Sequence, residues 1–71
     1  GPTLQLTCET NGMVLTIQGV PNIPLRIEYA PQLPFAGTWP VLTNLLLPAS
    51  PWQILDPSTD APARYYRAVV P

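Results

Sequence analysis

Eleven of the 71 residues are proline, and they fall between the apolar runs rather than inside them. Proline has a fixed φ and no N–H to give to a ladder, so it collects at strand starts, sheet edges and turns. The chain therefore reads as short extended segments separated by turns, the punctuation of a small all-β domain. Six such segments can be drawn. Leu4 to Thr7 or Cys8 alternates apolar and polar residues, and the Asn11-Gly12 dipeptide after it is a strong hairpin signal. Met13 to Gln18 returns as the second strand, with Leu15 and Ile17 on the face of Met13 and with Val14, Thr16 and Gln18 on the other.

Past the turn of Pro21 to Pro24, Leu25, Ile27 and Tyr29 alternate with Arg26 and Glu28. This is the cleanest period of two in the chain, one face buried and one wet. Pro31, Pro34 and Gly37 break the stretch to Thr38, and a fourth strand is expected from Val41 to Leu46, opening near Trp39. Trp52 to Leu55 forms the fifth. Asp56-Pro57-Ser58 then begins a turn in which Asp56 suits bonding to the backbone ahead, and Arg64 to Val70 forms the sixth strand.

Six short strands with no helical period predict a six-stranded antiparallel β-sandwich. Strands one, two and five are expected in one sheet, and strands three, four and six in the other. Strand six then runs antiparallel to strand three, with Arg26, Glu28 and Arg67 together on the wet face and Glu28 paired with Arg67. An exposed pair of this kind contributes little, so swapping either charge should leave the fold intact. The expected core is Leu15, Ile17, Leu25, Ile27, Tyr29, Trp39, Tyr66 and Ala68. Cys8, without a partner for a disulfide, reads as a small buried hydrophobe on its strand.

Composition removes several functions. Three arginines and no lysine give no basic stripe for phosphates, which argues against nucleic acid and against anionic lipid. No apolar run approaches the roughly 20 residues that span a bilayer, so membrane insertion is not expected. Catalysis lacks its usual groups, since there is no histidine and neither Ser50 nor Ser58 has an activating base. The absence of lysine also excludes a self-formed isopeptide bond. Asp56, Asp60 and Glu9 do not follow the spacing of a calcium loop, so neither a metal nor a cofactor is expected.

Trp39, Trp52 and Phe35 are candidates for a flat platform under sugar rings, and the residues taken for surface binding are Phe35, Trp52 and Tyr65. Core packing competes for Trp39 and Trp52, because one aromatic side chain buries roughly 150–250 Å², whereas Phe35 sits in the proline loop and Tyr65 faces out by alternation. Gly1-Pro2 is read as the scar of a tag-removing protease, leaving residues 3–71 as a single sandwich domain taken from a longer protein.

The segment Leu25-Arg26-Ile27-Glu28-Tyr29-Ala30, then Trp39 with Leu42, Asp56-Pro57 and the closing Arg64-Tyr65-Tyr66-Arg67-Ala68 carry a resemblance. Together they resemble a small domain found at the ends and joints of large exported proteins of Verrucomicrobia and Planctomycetes. The closing strand is similar to the sixth strand of fibronectin type III domains. The resemblance covers about residues 13 to 70 and implies an immunoglobulin-like or fibronectin III-like sandwich without its last strand, so that strand six is an open edge or is covered from outside. It also implies a non-catalytic spacer, adhesion or sorting module, secreted or at a cell surface. The partner would be a neighbouring domain or another copy, met through the open edge; a carbohydrate-binding module is the alternative, with polysaccharide as its ligand.

Overall fold

The computed structural model describes residues 1–57 and 64–71. The strands are β1 (Thr3–Glu9), β2 (Gly12–Gln18), β3 (Pro24–Ala30), β4 (Val41–Leu46), β5 (Trp52–Asp56) and β6 (Tyr65–Val69). They form two three-stranded antiparallel sheets, ordered β1-β2-β5 and β4-β3-β6, the arrangement expected from the alternation. The molecule is a small all-β sandwich. Ser58 and Asp60, from the turn and calcium readings above, lie outside the described residues.

β1 and β2 close on the two-residue turn Thr10-Asn11, and Glu9 pairs with Gly12 across it. Gly12 is required there. Its φ is 142°, and a Cβ would overlap the carbonyl group of Asp56 and stand 2.9 Å from the Cα of Pro57. Between β2 and β3 the chain turns at Asn22, whose φ of 66° suits a residue tolerant of the left-handed region. Its N–H donates to the carbonyl of Leu47 at 2.9 Å, tying this turn to the segment that follows β4.

The core is Leu15 and Ile17 from β2 facing Leu25 and Ile27 from β3, completed by Leu47. Each of these side chains, fully buried, contributes about 1.5–3 kcal/mol through removal from water. Leu4, Met13, Leu42, Leu45, Ile54, Tyr66 and Ala68 pack around them, partly buried. A register shift between Ile27 and Glu28 makes Thr43 and Val41 the successive partners on β4, leaving Leu42 as the extra residue of a bulge.

Four expectations are corrected. Trp39 is not in the core: it is half-buried against the guanidinium of Arg67, on the outer side of the second sheet. β4 opens at Val41 rather than near Trp39, so the tryptophan belongs to the loop that crosses that face. Cys8 is exposed, because β1 is the edge of its sheet and the second layer does not cover its far end. Tyr29 is half-buried at the rim, where the Arg64 guanidinium lies 4.1 Å from its ring centre. The remaining expected core residues are buried or pack on the core.

Candidate functional site

Polar side chains gather in two places, one between the layers and one outside them. Strand alternation decides which. Met13, Leu15 and Ile17 pair with Asp56, Ile54 and Trp52, so Asp56 stands in the inward row of β5. It is 2% exposed. Its Oδ2 accepts the Tyr66 hydroxyl at 2.6 Å and Arg64 Nη1 at 3.1 Å. Asp56 belongs to the first sheet and Tyr66 to the second, so this bond joins the layers. Burial raises the Tyr66 hydroxyl pKa well above its ordinary value, and donation to the Asp56 carboxylate raises it further.

Glu28 stands on the opposite side of β3 from Ile27. Its Oε1 accepts Arg67 Nε at 2.7 Å and its Oε2 accepts Arg26 Nε at 2.7 Å. The Arg67 and then the Arg26 hydrogen bonds hold the Glu28 carboxyl below the usual carboxylate range. The expected Glu28 to Arg67 pair is present, but the carboxylate is buried rather than exposed, under two guanidinium groups. Arg67 also lies 4.1 Å from the ring centre of Trp39, and Phe35 meets Trp39 edge-on with ring centres 6.3 Å apart. The proline-rich loop thus roofs the charges of β3 and β6.

The three aromatics expected for surface binding are not on one surface, and of the expected platform Phe35 meets Trp39 without Trp52. Trp52, 39% exposed, pairs with Ile17 on the first sheet, at the end of β5 away from Asp56. Tyr65, 43% exposed, pairs with Ala30 on the second sheet, two residues from Arg67 on the same side of β6. Phe35 is half-buried against Trp39. A sugar ring reaching the Phe35 and Trp39 roof would find Tyr65 on that face, and Trp52 elsewhere.

Two apolar depressions flank one end of the sandwich. The smaller, about 190 Å³, is lined by Pro2, Gly19, Val20, Ile23, Leu25 and Val70. The other, about 290 Å³ and open, lies between Pro24, Asn44, Leu45, Leu46 and Pro71. Neither receives a charged side chain. Among the described residues no group of three or more acidic, cysteine or histidine side chains is placed to hold a metal ion, and no helix is long and apolar enough to cross a membrane.

The bond of Asp56 across the layers is absent from the sequence expectations; its expected turn runs into Ser58, outside the described residues, and the signal for its buried role is the spacing Trp52, Ile54, Asp56, which puts it in the inward row. The chain matches no protein-family model, no curated protein and no solved structure.

Proposed function

We propose that this chain is a non-catalytic structural or interaction module of an exported or cell-surface protein, fibronectin III-like or immunoglobulin-like in plan. The observation that carries the reading is how the charges are used. Arg26, Arg64 and Arg67 are each bonded to Glu28 or Asp56: Arg67 joins β6 to β3, Arg64 reaches the other layer, and Arg26 stays on the strand of Glu28. The outer surface instead offers apolar side chains, among them Leu6, Val20, Leu33, Val41, Leu46, Leu55 and Val70. It also offers sheet edges at β1, β4, β5 and β6. Edges with unpaired N–H and C=O groups bind extended polypeptide. The sheet orders and the antiparallel β3 to β6 pairing support the plan.

The test is a backbone amide NMR titration of the chain with extended peptides selected on it from a displayed library, beside a panel of soluble polysaccharides. The module reading expects selected peptides to shift edge-strand amides while the Trp39 and Trp52 indole signals ignore the sugars. Saccharide shifts at Tyr65, Phe35 and Trp39, or at Trp52, with no peptide selected, would replace it by the carbohydrate-binding reading.

A further inference from the structure

Of the four sheet edges among the described residues, β1 is built differently from the others. β4 lies between Pro40 and Pro48 and carries the bulge at Leu42; β5 is five residues long between Pro51 and Pro57; β6 is five residues long, followed by Val70-Pro71. Short strands, prolines and bulges are the devices that stop edges from pairing. β1 has a proline, Pro2, just before its first residue, but is longer than the others and has no bulge and no proline after it. It runs for seven residues, Thr3–Glu9, with no proline, no bulge against β2 and a single charge at its end.

The same strand leaves apolar groups in water. Leu4, Leu6 and Cys8 pair with Ile17, Leu15 and Met13, which places all three in the row that faces the second layer. Even so, Leu6 is 47% exposed and Cys8 is exposed. An additional strand beside β1 would cover them.

We propose that the occupant is β1 of a second copy, paired antiparallel about a two-fold axis at Leu6. The sequence Thr-Leu-Gln-Leu-Thr-Cys-Glu is its own complement in that register. Leu6 meets Leu6 of the second copy, Leu4 meets its Cys8, Gln5 its Thr7, and Thr3 its Glu9. Every inward residue faces an apolar one, every outward residue faces a polar one, and Glu9 meets no like charge. All seven residues pair, and the two sheets of the first layer merge into one of six strands. A corresponding axis on β6 would fall at its middle residue, Arg67, and set that residue against its own copy. One seven-residue seam covers less surface than the roughly 1,200–2,000 Å² of a stable complex, so the dimer is weak and reversible. This inference rests on the reading of the chain as an interaction module, and names its partner.

The experiment is sedimentation equilibrium of the full chain from about 10 μM to about 1 mM, the range of weak association. The wild type is expected to move from monomer to dimer across it. Leu6→Lys, which puts a charge on the axis, should stay monomeric throughout, with an unchanged far-ultraviolet circular-dichroism spectrum. Thr3→Lys provides a second readout should Leu6→Lys fail to fold: it faces Glu9 of the second copy at both ends of the seam, and should tighten the dimer about three- to tenfold. A wild type that is monomeric at every concentration overturns the self-pairing, and if selected peptides still bind, the module reading survives without it. A dimer that persists in Leu6→Lys, or is no tighter in Thr3→Lys, overturns β1 as the seam. Absence of both self-association and peptide binding would remove both readings together.

Discussion

Asp56 and Glu28 are both carboxylates held by an arginine that itself lies against an aromatic ring, yet they do different work. Asp56 lies in the inward row of β5 and bonds the Tyr66 hydroxyl on the opposite sheet, so its interaction crosses the sandwich. Glu28 lies on the outer side of β3 and bonds Arg67 on the adjacent strand, so its interaction stays within one layer. In the first, the charge is 2% exposed and its partners have little recourse to water. In the second, the carboxylate is also buried but keeps Arg26 when Arg67 is removed, and the Arg67 side chain is 49% exposed and keeps access to solvent. A missing partner is therefore costly between the layers and mild outside them. The polar groups of the interior lock the stacking of the sheets, while those of the outer face trim the pairing of strands already joined by a ladder.

The largest way to break this contrast is through the turn beside Asp56. Gly12→Ala combines a strained backbone with a Cβ driven into the Asp56 carbonyl, and should destabilise by about 3 kcal/mol or more, read as a lowered urea midpoint. Next, Asp56→Ala leaves the Tyr66 hydroxyl and the Arg64 guanidinium without their acceptor. Its expected cost is about 2–4 kcal/mol in the same measurement.

A pH series sharpens the comparison, because the two sites fail at opposite ends. The Glu28 carboxyl pKa is lower in the folded chain, so its contribution is present above the unfolded value near 4.5 and is lost as pH falls through the folded value. The Tyr66 pKa is higher in the folded chain, so its contribution is present below the unfolded value of 10.0 and is lost as pH rises through the folded value. Tyr66→Phe should thus flatten the alkaline decline and leave the acid one, whereas Glu28→Gln should do the reverse.

The smallest effect belongs to the outer face. Arg67→Met gives up a ring contact worth about 0.5–1 kcal/mol together with its pairing to Glu28, and should lower the midpoint slightly without altering the circular-dichroism spectrum. A loss as large as that of Asp56→Ala would erase the distinction between the two sites.

Much of this arrangement is legible in the sequence, for a local reason. A period of two places Leu15, Ile17, Leu25 and Ile27 on inner faces, Asn-Gly and the prolines mark the turns, and the antiparallel return of β6 sets Arg67 against Glu28. What escapes depends on contacts between segments far apart. Trp39 follows Pro31, Pro34 and Gly37 in a loop without a period, so its hydrophobicity suggested the core when a guanidinium on the outer face was its actual partner. Cys8 alternates as an inward residue does, but alternation cannot say whether the opposite layer extends far enough to cover it. Asp56 reads as the start of the turn Asp56-Pro57-Ser58, and nothing local points to its Tyr66 partner on the other sheet.

The claim that a carboxylate-to-tyrosine bond fastens the two layers is tested most directly by a double-mutant cycle, with urea unfolding of Asp56→Ala, Tyr66→Phe and the pair together. A favourable coupling of about 1–2 kcal/mol is expected, with the double variant less damaged than the sum of the singles. Additivity to within about 0.3 kcal/mol would show that the two residues act independently, and would contradict the account.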